Sequence, residues 1–212
     1  MMATPEKTVV APPAPMTPSA GLKRRLIHIT AGSFFPVLLI FFPRIPVLSA
    51  SLAVFAVAAA VEMARLRYPN INRWVVARVG SLMKPAEHSR PLGVTYWLAS
   101  TPVVIGLMPQ PVAVLVLMYL AVGDSIAPVV GGRYGRHHLF GKTVEGSAAF
   151  LAGCIGIGWV LLATGLETSL PVMFVGAIAA TLVELVPSPM NDNVKVPLAT
   201  GGLLVVLSHF WG

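Results

Sequence analysis

The chain alternates between long apolar runs and short polar segments, and this alternation predicts its architecture. A run of about 17–25 predominantly apolar residues is long enough to cross a lipid bilayer as an α-helix. By this criterion the sequence contains about seven spans, at residues 26–42, 46–65, 92–108, 111–130, 146–163, 170–186 and 194–211. The pattern therefore predicts an all-α, polytopic integral membrane protein.

Two segments fall outside the predicted spans. Residues 1–21 are rich in proline, alanine and threonine, which predicts a disordered N-terminal tail before a single transmembrane domain at residues 22–212. Residues 68–83 place Ile71, Trp74 and Val75 on one helical face, whereas the polar residues lie mostly elsewhere. This second segment is predicted to be an amphipathic helix that lies at the membrane interface.

The composition excludes a soluble protein. The 212 residues are 56% hydrophobic and 11% charged, whereas soluble domains carry about 25% charged residues. The net charge of +7 does not indicate a nucleic-acid partner, because the basic residues fall at the ends of the predicted spans. The single cysteine, Cys154, lies in an apolar run and is interpreted as a packing residue.

The basic residues also predict how the chain is oriented. If the N-terminus is placed inside, all of the 15 lysines and arginines except Arg44 fall on the cytoplasmic side. This asymmetry follows the tendency of cytoplasmic loops to carry an excess of lysine and arginine. Seven of the eight acidic residues fall on that side too, Glu167 being the exception. We therefore predict a cytoplasmic N-terminus and a functional site that opens on the cytoplasmic face.

The chemistry is concentrated in residues 123–147, which lie between two apolar runs. Asp124 lies in the inner part of the fourth span, and ionisable residues within a membrane are costly and usually mark a site. It is the first candidate for a Mg²⁺ ligand or for the group that accepts the proton of a substrate hydroxyl. The predicted orientation brings Arg90, Glu184 and Asp192 to the same face.

These residue types suit a polyphosphate bound with a divalent metal ion such as Mg²⁺. Mg²⁺ prefers carboxylate oxygens shared with substrate phosphates, and phosphoryl transfer depends mainly on positioning and charge neutralisation. Glycines also let backbone N–H groups approach phosphate oxygens. The candidate catalytic residues are Asp124, Lys142 and Glu145, and the candidate metal ligands are Asp124, Glu145 and Asp192. The candidate phosphate-binding residues are Gly131, Arg133, Gly135, Arg136, Lys142, Thr143, Arg90 and Asn193.

Several candidates have an ordinary structural alternative. Lys142 could be an anchor at the membrane edge, and the carboxylate of Glu145 could interact favourably with the helix dipole at the start of the next helix. Arg133 and Arg136 could contact lipid headgroups, and residues 192–193 could cap the last span. Which carboxylate is a base and which is a metal ligand stays open. The spacing also does not match a P-loop, since the G-x-x-x-x-G-K-[ST] pattern is missing.

The motifs resemble those of the polyprenol kinases, the group of dolichol, phytol and farnesol kinases, with the CTP-dependent diacylglycerol kinase of yeast as a relative. The resemblance covers roughly residue 23 to the end, and its motifs occur in the same order. They are residues 24–28, 62–65, 90–96, 123–127, 131–135, 141–147 and 192–197. The resemblance implies a transmembrane catalytic domain that transfers the terminal phosphate of CTP, or of another nucleoside triphosphate, to an isoprenoid alcohol such as phytol, geranylgeraniol or a polyprenol.

Other functions stay open. The chain could be a CTP-dependent diacylglycerol kinase, or a cytidylyltransferase that forms a CDP-lipid. A small transporter with Asp124 and Glu184 as an ion site is less favoured. Its binding site should lie near the middle of the membrane, whereas the polar residues here cluster on one face.

Overall fold

The computed structural model describes the backbone of residues 18–211 and the side chains of residues 25–208 and 210. Apart from one small hairpin, its regular elements are helical. The α-helices are α1 (Pro18–Phe41), α2 (Arg44–Arg67), α3 (Pro69–Val79), α4 (Gly93–Leu107), α5 (Gln110–Tyr134), α6 (Val144–Ala163), α7 (Leu170–Leu185) and α8 (Asp192–Trp211). Two short 3₁₀ turns, Gly80–Leu82 and Pro85–His88, lead into α4, and the antiparallel strands β1 (His138–Leu139) and β2 (Lys142–Thr143) join α5 to α6.

The predicted fold class, an all-α integral membrane protein, is confirmed. Three helices are long and apolar enough to cross a bilayer by length and composition, namely α2, α5 and α6, and three shorter apolar helices are Arg25–Phe41, α4 and α7. The helices α4, α6 and α7 begin and end within two residues of the predicted runs. The count of seven spans stays a prediction.

The boundary of the N-terminal tail differs from the prediction. Helix α1 begins at Pro18, so residues 18–21 are helical rather than part of the predicted tail. Proline is well tolerated in the first turn of a helix, where its missing N–H has no partner to lose. The rest of the predicted tail lies outside the described residues.

The predicted amphipathic segment forms α3 and the 3₁₀ turn that follows it. None of the side chains of α3 is buried, which fits a helix on the outside of the bundle. The guanidinium of Arg78 lies 3.8 Å from the centre of the Trp74 ring, a cation–π contact that joins a basic and an aromatic side chain on its surface. This pairing suits a membrane interface, where amphipathic aromatic rings and cationic groups are both stable.

Helix α5 forms the centre of the bundle. Of its most apolar stretch 67% is buried, against 17% for α2, and the side chains from Val112 to Ala121 are all buried. The hydroxyl of Tyr119 donates a hydrogen bond of 2.7 Å to the carbonyl of Met173, which ties α5 to α7 inside the core. Cys154 is also fully buried, as its apolar surroundings in the sequence predicted.

The contact between α5 and α6 depends on Gly123. A Cβ atom at this position would lie 2.9 Å from ring atoms of Phe150, which is itself fully buried. Real Cβ atoms do not approach other heavy atoms so closely, so a side chain would force the two helices apart. By contrast, a Cβ atom at Gly156 of α6 would have no neighbour within 4 Å.

We expect the substitution Gly123→Ala to lower the melting temperature of the purified protein. Overpacking a core costs about 1–3 kcal/mol, which corresponds to about 2–12 °C for a chain of this size. Thermal unfolding in detergent would measure the effect. Gly156→Ala is the matched control and should leave the melting temperature unchanged or slightly raised. Equal melting temperatures for the two variants would contradict close packing at Gly123.

The connections between helices separate the two ends of the bundle. Arg44 donates a hydrogen bond of 2.7 Å to the carbonyl of Gly106, and Gln110 donates one of 2.7 Å to the carbonyl of Leu39. The α1–α2 and α4–α5 turns therefore share one end. The ionisable groups His28, Asp124, Lys142, Glu184 and Asp192 meet near the opposite end, which we call the polar end.

Candidate active site

A cavity of about 1100 Å³ opens at the polar end. Four of the predicted site residues line it: Asp124, Arg133, Asp192 and Asn193. Other parts of its wall are apolar, and they come from Ile27, Val79, Leu82, Met83, Val94, Trp97 and Val129. A cavity with a polar group at one side and apolar walls suits a ligand that has a polar head and an apolar body.

Asp124 lies on α5 where the helix faces this cavity. Its side chain is 35% exposed, and its Oδ2 atom lies 3.4 Å from Nε2 of His28 on α1. Pro128, one turn later, has no N–H to donate to the Asp124 carbonyl, so the helix also lacks one of its internal hydrogen bonds here. His28 belongs to the motif at residues 24–28, but the sequence gave no sign that the two side chains meet.

Lys142 ties the β1–β2 hairpin to α7 and α8. Its Nζ atom lies 2.6 Å from Oε1 of Glu184 and 2.9 Å from Oδ2 of Asp192, and it also donates to the Glu184 carbonyl. Burial lowers the pKa of Lys142, but the hydrogen bonds to Glu184 and Asp192 raise it by more, so that it lies above its usual value. The ammonium group is therefore charged and fully engaged in this structure.

The start of α8 is fixed by contacts on two sides. Asp192 forms a second ion pair, with Lys195, in which its Oδ1 atom lies 2.8 Å from Nζ of that lysine. Asn193 donates from its side-chain amide to the carbonyl of Gly93 at 2.8 Å. Pro197 leaves the Asn193 carbonyl without its helical donor, and the hydroxyl of Ser100 takes that place at 2.8 Å. These contacts hold Asp192 and Asn193 at the edge of the cavity.

Gly131 and Gly135, which were predicted to contact phosphate, serve packing, whereas Gly132 and Arg133 between them line the cavity. A Cβ atom at Gly131 or Gly135 would overlap the side chain of Thr143. Thr143 in turn caps α6, because its hydroxyl oxygen accepts a hydrogen bond of 3.1 Å from the N–H of Gly146. The two glycines therefore let the hairpin fold close against the end of α5.

Glu145, Arg136 and Arg90 lie outside the residues that line the cavity. Glu145 pairs with His137 instead, with 2.8 Å between Oε1 and Nδ1, and His137 is largely exposed. Arg90 takes part through its backbone, since its carbonyl accepts a hydrogen bond of 2.8 Å from Arg65. These three residues therefore do not line the cavity together with Asp124 and Asp192.

Arg65 has a larger role than its spacing from Glu62 suggests. Only 1% of its side chain is exposed, and it lies 2.6 Å from Oε1 of Glu62. Its guanidinium also donates to three backbone carbonyls, of Glu87 at 3.0 Å, His88 at 3.4 Å and Arg90 at 2.8 Å. One buried cation therefore holds the segment that leads into α4.

Two carboxylates complete the support of this segment. Glu62 accepts a hydrogen bond of 2.9 Å from the N–H of Leu92. Glu87 accepts one of 2.7 Å from the N–H of Lys84 and one of 3.0 Å from the N–H of Gly93. The cavity is lined by Lys84, Glu87, Leu92 and Gly93 of this segment. The buried ion pair of Glu62 and Arg65, together with Glu87, therefore shapes one of its walls.

Comparison with known proteins finds lipid kinases to which the chain is similar. It is 28% identical over 204 residues to a phytol kinase of Synechocystis sp., and the match covers 91% of this chain and 82% of the relative. It is 31% identical over 198 residues to the probable chloroplastic phytol kinase 2 of Oryza sativa subsp. japonica, covering 84% and 64%. It is 24% identical over 168 residues to the CTP-dependent diacylglycerol kinase 1 of Schizosaccharomyces pombe, covering 72% and 77%. The chain is a relative of these lipid kinases.

The resemblance found in the sequence motifs is thus confirmed, and the relatives support a membrane lipid kinase. No model of a known protein family and no solved structure matches the chain.

The acidic residues of this chain fit a Mg²⁺ site only in part. Asp124 and Asp192 line the same cavity, and Mg²⁺ is usually held by one or two carboxylates together with substrate phosphates. Among the side chains that the structure describes, no group of three or more His, Cys, Asp or Glu residues converges into a complete metal cage. Asp124 and Asp192 therefore supply the two carboxylates that a divalent cation in this cavity would use, whereas Glu145 pairs with His137.

We expect the substitution Lys142→Gln to lower the melting temperature of this protein even when no nucleotide is present. The substitution leaves the buried Glu184 carboxylate without its cation, and an unsatisfied buried group costs about 1–3 kcal/mol. Thermal unfolding would show a fall of several degrees. Arg136→Gln is the control, because Arg136 is exposed and should have no such effect. Unchanged stability together with lost nucleotide binding would instead favour a direct phosphate contact by Lys142.

Proposed function

We propose that this chain is a membrane-embedded kinase that transfers the terminal phosphate of CTP, or of another nucleoside triphosphate, to an isoprenoid alcohol at the cytoplasmic face. The observation that carries the proposal is the cavity that Asp124 lines together with apolar and basic side chains. The names of the relatives support both halves of the reaction, since two are phytol kinases and one is a CTP-dependent kinase.

Asp124 is the proposed catalytic base. The apolar chain of the alcohol lies along Leu82, Met83 and Trp97, which brings its hydroxyl group to the Asp124 carboxylate. As the hydroxyl oxygen bonds to the terminal phosphorus, its proton passes to the carboxylate and the bond to the oxygen of the nucleoside diphosphate breaks. His28 keeps the carboxylate oriented from the side of α1. The products are the lipid monophosphate and CDP.

Charge neutralisation is the second requirement of the reaction. Arg133 lies on the cavity wall and is proposed to contact the phosphates. Asp192 and the Asp124 oxygen that does not receive the proton would hold Mg²⁺, which would neutralise charge on the phosphate oxygens. Asn193 lies beside Asp192 on the same wall and would limit how far the nucleotide extends toward α4.

A panel of alcohols and nucleotides tests the proposal. Purified protein in lipid nanodiscs would be incubated with Mg²⁺, nucleotide labelled on the terminal phosphate, and geranylgeraniol, phytol, a polyprenol or diacylglycerol. We expect label in an isoprenoid monophosphate, with CTP as the best donor. The similarity to the diacylglycerol kinase makes diacylglycerol the second candidate acceptor. Release of pyrophosphate with formation of a CDP-lipid would replace the proposal with a cytidylyltransferase, and no labelled lipid from any pair would overturn it.

A further inference from the structure

Three basic side chains line the cavity at the polar end: Arg25, Lys84 and Arg133. Arg133 was predicted to bind phosphate from the sequence, whereas Arg25 and Lys84 were not. Arg25 lies on α1 one turn before His28, and Lys84 lies on the segment that the buried Arg65 holds in place. The three side chains come from three separate parts of the chain and meet only through the fold.

The other predicted phosphate ligands do not supply positive charge to this cavity. Lys142 already has three acceptors, the carboxylates of Glu184 and Asp192 and the Glu184 carbonyl. Arg136 and Arg90 lie outside the residues that line the cavity. A triphosphate bound beside Asp124 therefore needs other cationic partners.

Arg25, Lys84 and Arg133 have that capacity. None of the ion pairs found among the side chains of residues 25–208 involves any of the three. The acids of the same wall are engaged, since Asp192 has two lysines and Glu87 accepts two backbone N–H groups. The cavity thus offers cationic groups to an anionic ligand, while most of its negative charge is already balanced within the protein.

We infer that Arg25 and Lys84 bind the phosphate groups of the nucleoside triphosphate, together with Arg133. The inference rests on the proposed kinase function and names further ligands of the same site. Arg25 precedes His28 by three residues, about 4.5 Å along the helix, and His28 contacts Asp124. Arg25 is therefore placed near the transferred phosphate. Lys84 approaches from the segment before α4 and closes the site on another side.

The variants Arg25→Ala and Lys84→Ala test this inference, with Arg73→Ala as the matched control. Arg73 is an exposed arginine of α3 that bonds Asn70 outside the cavity. CTP with Mg²⁺ would be titrated calorimetrically into each protein in nanodiscs of phosphatidylcholine alone, so that anionic headgroups do not compete. Kinetics with CTP and geranylgeraniol would then separate the two KM values.

Each variant is expected to weaken CTP binding and raise the KM for CTP about 10-fold, the effect of losing one charge-assisted hydrogen bond. The KM for the alcohol should stay unchanged, Arg25→Lys should recover most of the affinity, and Arg73→Ala should match the parent protein. Unchanged CTP affinity in both alanine variants would overturn the inference, and so would a rise in the KM for the alcohol alone.

The failure of the inference and the failure of the proposed function are distinguishable. If the variants phosphorylate geranylgeraniol with unchanged KM for CTP, the kinase function stands and the inference is wrong. If the parent protein phosphorylates no alcohol, the calorimetric titration of CTP still decides whether Arg25 and Lys84 bind a triphosphate. Size-exclusion profiles and melting temperatures would exclude variants that have not folded, and the neutral Arg25→Gln and Lys84→Gln proteins would then serve in their place.

Discussion

Replacing Asp124 with asparagine is expected to reduce phosphorylation of the lipid alcohol by at least about 100-fold, since general bases contribute factors of about 100 to 10,000. Asparagine has nearly the same size and can still receive a hydrogen bond from the substrate, but it cannot take up the proton. The cavity and helix α5 should keep their shape, because the Asp124 side chain is not part of the buried core. The turnover rate under saturating nucleotide and alcohol is the measurement.

Two further variants make this result specific to Asp124. Glu167→Gln removes an exposed carboxylate between α6 and α7, away from the cavity, and should leave the rate unchanged. His28→Asn should lower the turnover rate less than Asp124→Asn does, because His28 orients the carboxylate and does not receive the proton. If Asp124→Asn kept more than about a tenth of the activity, Asp124 would not be the base that the general acid–base argument requires.

The helices could be predicted from the sequence because the signal that defines them is local. An apolar run of sufficient length predicts a span without knowledge of its neighbours, and α4, α6 and α7 follow their runs closely. The gathering of polar groups at one end also follows from the sequence, because alternate connections between spans must lie at the same end. Asp124, Arg133, Asp192 and Asn193, which were all candidate site residues from the sequence, line the same cavity.

The partners of the polar groups could not be predicted, because they are set by how distant segments pack. Lys142 lies three residues from Glu145 in the sequence, but it bonds Glu184 and Asp192, which are 42 and 50 residues away. Glu145 bonds His137 across the hairpin instead. The tight turn at Phe140 and Gly141, where φ is 52° and 81°, brings these strands together. The glycines that suggested phosphate contacts are needed for this packing.

Burial is the second property that spacing does not reveal. Glu62 and Arg65 are three residues apart on a helix, and such a pair has the same pattern whether it is exposed or buried. In the structure both side chains are buried, and the guanidinium replaces hydrogen bonds that the segment before α4 would otherwise make with water. Arg65 therefore fixes the position of the segment that forms one wall of the cavity, although Arg65 itself does not line the cavity.

The substitution Arg65→Met is accordingly expected to lower the melting temperature by about 6–20 °C and to abolish most of the kinase activity. Removing one partner of a buried ion pair costs about 3–5 kcal/mol, because the remaining charge is left uncompensated, and each kcal/mol corresponds to about 2–4 °C for a chain of this size. Here the carbonyls of Glu87, His88 and Arg90 lose their donor as well. Thermal unfolding and limited proteolysis within residues 84–93 would measure the change.

Three comparisons distinguish the effect of breaking the buried Glu62–Arg65 ion pair from a general effect of losing an arginine. Arg67→Met changes an exposed arginine of the same helix and should melt close to the parent protein. Arg65→Lys should rescue little, since one ammonium group cannot replace a planar guanidinium that donates in several directions. Adding Glu62→Gln to Arg65→Met should restore part of the stability, because the uncompensated carboxylate is then removed. If Arg65→Met melted like Arg67→Met, the buried pair would not be what holds the segment before α4.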